Sequence, residues 1–143
     1  MDDMLSRFNR RMPPFPAWLG IHFLSIEKDR LVAEVLVRED HSNGQGVMHG
    51  GAIMSLADTL GAVGTIINMP ANSMTVTLES KTNFIAAALI GQRIIGEATP
   101  VHQGRTTQVW TTRITREDGK LVAVVTQTQI VMPARLPGAP KQG

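Results

Sequence analysis

The chain has 143 residues, of which 43% are hydrophobic and 18% charged, and it contains no cysteine. That length suits one compact domain, and the missing cysteine excludes disulfide scaffolds, thiol nucleophiles and thiolate-bound metals together. A net charge of +2, 4% aromatics and no tyrosine provide no basic, stacking-rich face of the kind that nucleic-acid binding needs.

Residues 1–11 carry Asp2, Asp3 and three arginines without an apolar run, so they do not read as a secretory signal. No stretch reads as the ~20 apolar residues that span a bilayer, so no membrane association is predicted and a cytoplasmic location is expected. Residues 12–16, with three prolines, predict an extended or turning lead-in, because consecutive prolines exclude regular helix. Residues 17–23 fit a short helical turn. Residues 21–26 and 31–37 predict a hairpin across the polar turn Glu27-Lys28-Asp29-Arg30. Residues 41–46 form a loop containing the turn dipeptide Asn43-Gly44.

The pattern then changes. Ile53, Leu56, Ala57, Leu60, Gly64 and Ile67 recur at helical spacing, predicting a helix of about 18 residues over 50–68 that is buried on most sides. Pro70 ends it. Residues 73–85, 93–103, 106–116 and 121–132 are rich in Val, Ile and Thr and read as strands, the last two joined by a hairpin at Asp118-Gly119. The tail 133–143, with three prolines and two glycines, is expected to be disordered. The expected domain plan is a lead-in over 1–20, one domain over 21–132 and this tail.

One apolar helix and five to six antiparallel strands bury each other best when the sheet curls around the helix, an α+β arrangement known as the hotdog fold. A different α+β sheet with a single helix satisfies the same pattern less well.

The stretch Asn43-Gly44-Gln45-Gly46-Val47-Met48-His49-Gly50-Gly51 opens that helix. Its first backbone N–H groups have no helical partner. Gly50 and Gly51 present no side chain, so a ligand oxygen could reach those amides, and a helix N-terminus favours a developing oxyanion. A tight loop-to-helix junction is the plainer explanation of the same glycines. A dinucleotide fingerprint is not, since the spacing is wrong and no βαβ unit follows.

Asp58 is the only ionisable residue within 50–68, on a face shared with Met54, Gly61, Ala62 and Thr65. A carboxylate on a buried helix is costly unless paired or functional, although a face turned to water would need no explanation. Gly50 and Asp58 lie eight residues apart, or ~12 Å along a helix. A catalytic group must come within about 3 Å of the atom it acts on. One chain therefore cannot easily aim both at one carbonyl, whereas two antiparallel helices across a two-fold axis can, with Gly61, Ala62 and Thr65 small enough to permit their approach.

Asn43, Gly46, His49-Gly50-Gly51 and Leu56-Ala57-Asp58 resemble the signature of the PaaI-type hotdog acyl-CoA thioesterases. Thr77-Leu78-Glu79, Asn83-Phe84, Gly104-Arg105 and Asp118-Gly119-Lys120-Leu121-Val122-Ala123 resemble that family's later strands. The resemblance spans residues 31–132. It implies that the Gly50 N–H polarises the thioester carbonyl, aided by the Asn43 side chain. It further implies that Asp58 of the opposite subunit serves as general base or nucleophile, with Thr77 orienting water and His49 supporting the helix start.

Gly51, Met54, Ala62 and Thr65 are the expected substrate lining, and Arg105 either contacts a phosphate of coenzyme A or is an ordinary exposed strand-end arginine. Ile85-Ala86-Ala87-Ala88 departs from the proline-containing segment that often follows Asn-Phe in that family, which puts the coenzyme A contacts there in doubt. Coenzyme A enters as part of the substrate. No separate cofactor is expected, nor a metal, since His22, His41, His49 and His102 lack zinc-ligand spacing. A homodimer or homotetramer is expected. A hotdog hydratase-dehydratase and a non-catalytic acyl-CoA binding module are the competing readings.

Overall fold

A computed structural model describes residues 3–134. The elements in order are α1 (Met4–Arg10), α2 (Pro14–Leu19), β1 (His22–Glu27), β2 (Arg30–Leu36), a 3-10 turn (Glu39–His41), α3 (Gly50–Asn68), β3 (Ser73–Phe84), β4 (Arg93–Gln103), β5 (Thr107–Arg116) and β6 (Leu121–Pro133). The six strands form one antiparallel sheet in the order β1-β2-β4-β5-β6-β3. The sheet packs around α3, as the alternation of apolar residues in the strands and the apolar helix together require.

α3 ends as its sequence dictates. Met69 is extended, with φ −81° and ψ 155°, because a following proline disfavours helical backbone in the residue before it. By length and composition α3 could cross a membrane, which corrects the expectation that no stretch qualifies. Here the sheet supplies its apolar surroundings: Ile53, Leu56, Ala57, Leu60 and Val63 are buried with Leu31, Ile94, Trp110 and Ile114. Each fully buried large apolar side chain contributes about 1.5–3 kcal/mol.

The approach of helix to sheet depends on two glycines. A Cβ on Gly64 would lie 2.8 Å from the Trp110 ring, and one on Gly61 would overlap the Gln127 carboxamide. This corrects the expected face of the helix. Gly61 and Thr65 turn toward the sheet, where Thr65 is fully buried, and so do not form a flat surface for a second helix.

Within the lead-in Met12 and Pro13 are not helical, but Pro14–Leu19 is, against the expectation for its prolines. Pro14 and Pro16 occupy the first turn of α2, where a missing N–H costs nothing because that turn has no helical acceptor for it. α1 is tied to the sheet by Asn9, whose Nδ2 donates to Phe23 C=O at 2.9 Å and whose Oδ1 accepts from Phe23 N–H at 2.8 Å. One amide side chain thus satisfies the outward backbone groups of Phe23 on edge strand β1. The opposite edge, β3, is 12 residues long, with Val76 and Leu78 exposed. Of the expected tail, residues 135–143 lie outside the described residues.

Candidate active site

The start of α3 leaves one amide free. His49 is the N-cap, extended at φ −60° and ψ 137°, and its Nδ1 accepts from Gly51 N–H at 2.8 Å. Its carbonyl accepts from Ala52 and Ile53. Gly51 therefore does not offer the open amide expected of it, since an imidazole caps it. Gly50 N–H has no acceptor among the described residues, at the end of the helix where the macrodipole is positive. The approach is anchored by His49 N–H donating to His41 C=O at 2.8 Å and by Met48 N–H donating to Ala88 C=O at 2.8 Å. Phe84, at the end of β3, lies against the Gly50 Cα.

Asn43 lies in the exposed loop before the helix. Its Oδ1 accepts from Gln45 N–H at 3.0 Å while its own N–H donates to Val47 C=O. The side chain's oxygen thus organises the turn, leaving its Nδ2 group as the donor available to a ligand.

Asp58 is half-buried on the flank of α3. Thr77 Oγ1 donates to Asp58 Oδ1 at 2.7 Å, and Gln127 Nε2 lies 3.4 Å from the same oxygen and 3.4 Å from the Asp58 carbonyl. Oδ2 carries no hydrogen bond among the described residues. Thr77 in turn accepts from Gln129 Nε2 at 2.7 Å. The resemblance assigned Thr77 to water, but its single proton is committed to the carboxylate. The strand achieves this with a bulge: Thr77 pairs with Gln129 and Glu79 with Thr128, leaving Leu78 as the extra residue. An extra residue shifts the alternation, so that Thr77 before it and Ser80 and Phe84 after it all face α3.

A groove of about 340 Å³ runs along this flank, lined by Phe15, Gly51, Met54, Ser55, Asp58, Thr59 and Ser80. Met54 and Gly51 are where substrate lining was expected. Ala62 is half-buried further along the helix and does not line the groove. Thr65 is not lining at all: it accepts from Trp110 Nε1 at 3.1 Å and donates to Gly61 C=O at 2.9 Å within the core.

Arg105 is exposed beyond β4. Gln103 and Asn68 both donate to Lys28 C=O, which places that end of the sheet by the C-terminus of α3, opposite Gly50 of the same chain. Beside the helix start, His41 is buried; loss of solvation and the nearby Arg38 charge push its pKa down, opposed by Asp40. Its Nδ1 accepts from Arg38 N–H at 3.2 Å. Among the described residues no group of three or more His, Asp or Glu side chains could hold a metal.

Reading the sequence missed Gln127 and Gln129. A signal was present: they fall on the same alternating face of β6 as Ala123, Val125 and Val131, all buried. Buried glutamine is unusual and requires partners.

Residues 45–123 match the thioesterase superfamily. The chain belongs to that superfamily. It is 30% identical to a 1,4-dihydroxy-2-naphthoyl-CoA hydrolase of Listeria monocytogenes, over 74% of this chain and 85% of that one. Among solved structures, it is similar to a thioesterase from Haemophilus influenzae, with a TM-score of 0.88, 26% identity and 96% of each chain covered. A Streptococcus mutans protein bound to acetyl-CoA gives a TM-score of 0.73 at 28% identity, covering 81% of this chain and 91% of that one. The Escherichia coli PaaI protein shares the fold, with a TM-score of 0.79 at 24% identity and 90% and 91% of the two chains covered. The protein is a thioester hydrolase of the hotdog fold.

Proposed function

We propose that this thioesterase hydrolyses acyl-CoA thioesters to the free acid and coenzyme A, at two composite sites of a homodimer. The observation that carries the reading is the Asp58 carboxylate, held through Oδ1 by Thr77 at 2.7 Å and lining an open groove with Oδ2 unengaged. Coenzyme A as the leaving thiol is supported by the hydrolase relative and by the neighbour bound to acetyl-CoA.

In this mechanism the thioester carbonyl accepts from Gly50 N–H, with the Asn43 Nδ2 group as second donor. Asp58 Oδ2 of the other subunit takes a proton from water as it attacks, or attacks the carbonyl itself to form an acyl anhydride that water then cleaves to the free acid and the regenerated carboxylate. The tetrahedral oxyanion is stabilised at the helix start and collapses with loss of the thiolate. An oxyanion donor is worth about 10²–10³ in rate and a general base roughly 10²–10⁴. A thioester, already activated, needs no more.

Distance supports a second subunit, since Gly50 and Asp58 of one chain are ~12 Å apart along α3. The open edge of β3, with Leu78 59% exposed, supports strand-to-strand pairing about a two-fold axis. Such pairing satisfies the free edge groups and covers Val76 and Leu78.

The test is a thiol-release assay over a panel of aryl- and alkyl-CoA thioesters, comparing the native protein with Asp58→Asn. The expected result is release from at least one thioester, reduced by about 10²–10⁴ in the variant with its sedimentation unchanged. Near-native turnover by Asp58→Asn overturns the reading.

A further inference from the structure

We propose that Gln129 is a positioning residue for the hydrolytic carboxylate, acting through a one-way chain of hydrogen bonds from Thr75 to Gln129 to Thr77 to Asp58. The inference rests on the reading of Asp58 as the hydrolytic group and adds what holds it in place. Neither Gln129 nor Thr75 touches the groove.

Donor counting fixes the direction of the chain. An ionised Asp58 can only accept. The Thr77 hydroxyl has one proton, and at 2.7 Å from Asp58 Oδ1 that proton belongs to the carboxylate. The second neighbour of Thr77 Oγ1 must then be a donor, and it is Gln129 Nε2 at 2.7 Å. With its NH2 group turned to Thr77, Gln129 directs Oε1 away, where Thr75 Oγ1 donates at 3.0 Å. Reversing the carboxamide would set two acceptors, Gln129 Oε1 and Asp58 Oδ1, against the one Thr77 proton. In the observed arrangement each of the three links joins one donor to one acceptor.

Burial gives the chain its force. Gln129 is fully buried, so its groups have no water to turn to, and bonds that point the same way polarise one another. Thr77 by itself could swing about its Cα–Cβ bond between staggered positions. Pinned from behind by Gln129, its hydroxyl has one favourable direction. Asp58 is thereby held by Oδ1, and Oδ2 is the oxygen left for chemistry. Gln127 is a weaker support: its Nε2 is 3.4 Å from Asp58 Oδ1 and its Oε1 is buried without a partner.

The residue type matters as much as the position. Glutamate at 129 would present an acceptor to Thr77 and compete for its one proton. Leucine or methionine fills similar volume but releases Thr77 Oγ1 from its donor.

The experiment is a double-mutant cycle on kcat and KM in the thiol-release assay, using the best substrate of the panel. Gln129→Leu is expected to lower kcat about tenfold, with KM unchanged within about twofold. Thr77→Val, which keeps the shape and loses the hydroxyl, is expected to lower kcat by at least as much. In the Thr77→Val background Gln129→Leu should then cost nothing further, because the relay is already cut. Gln129→Met repeats the cycle should the leucine variant fold poorly, as judged by its thermal transition.

A fold-change for Gln129→Leu or Gln129→Met that is the same in both backgrounds assigns glutamine a structural role alone and overturns the inference. So does unchanged kcat in Gln129→Met. These outcomes differ from failure of the underlying reading, which appears as full activity in Asp58→Asn.

Discussion

The Phe84 ring lies against the Cα of Gly50, such that a Cβ at position 50 would be 3.0 Å from Cζ and 3.2 Å from Cε1. Glycine at the helix start therefore serves packing as well as access. Gly50→Ala keeps the N–H but must displace the ring, and the expected result is a drop in kcat/KM of about tenfold or more, a misplacement effect. Phe84→Ala in the same background removes the collision and should recover part of the loss. Steady-state kinetics on the two single variants and the double variant checks this.

Composite sites make a further, stricter prediction. Gly50→Pro, paired with Phe84→Ala so that the added carbons meet no ring, removes the free amide of the helix start at a position where proline suits helical backbone, and Asp58→Asn removes the carboxylate. Each variant alone should be nearly inactive. A heterodimer of the two restores one intact site, with Gly50 from the Asp58→Asn chain and Asp58 from the Gly50→Pro chain. Recovery of activity after unfolding and refolding the mixture is the measurement. No recovery in a verified heterodimer places both groups in one chain's site.

His49 caps α3 through Nδ1 on Gly51 N–H. His49→Ala is expected to lower stability by about 0.5–2 kcal/mol, the usual cost of losing an N-cap, while His49→Asn should recover much of it. Denaturant titration of the three proteins checks the order native, Asn, Ala.

The buried His41 links stability to pH. Its folded-state pKa lies below the ordinary value of 6.5. Above that value the imidazole is neutral in both states, and its contribution to stability is fully present. As pH falls below 6.5 the unfolded chain gains a proton that the folded chain resists, so stability declines until the folded pKa is passed. Melting temperature measured from pH 7.5 to 5 should fall on the acid side. His41→Phe should flatten that slope.

Asn9 is expected to matter out of proportion to its place near the chain start. Its side chain makes both hydrogen bonds to Phe23 on edge strand β1. Asn9→Ala should cost about 1–3 kcal/mol, two ordinary hydrogen bonds, and should raise the tendency to aggregate, because it reopens a strand edge. Thermal melts and light scattering on heating measure the two effects.

Local pattern was enough for much of the architecture. The helical spacing from Ile53 to Ile67 and the β-branched runs around Asp118-Gly119 predict elements within a residue or two of those observed, since period and turn chemistry act between neighbours. The prolines of residues 12–16 misled for a local reason: they oppose helix in its interior but fit its first turn. Asp58 stood out because a lone charge in an apolar helix demands an explanation.

Other features depend on partners distant in the chain, and no local pattern carries them. Which side of α3 Thr65 takes is decided by Trp110, 45 residues away. The engagement of Asp58 by Thr77, and of Thr77 by Gln129, requires three elements and a bulge at Leu78. Propensity, capping and period are short-range, so which elements form and which residue types stand ready for chemistry could be read along the chain. Hydrogen-bond partners are assigned by folding, so which amide stays free, which oxygen of Asp58 is held and which edge lies open emerge in three dimensions alone.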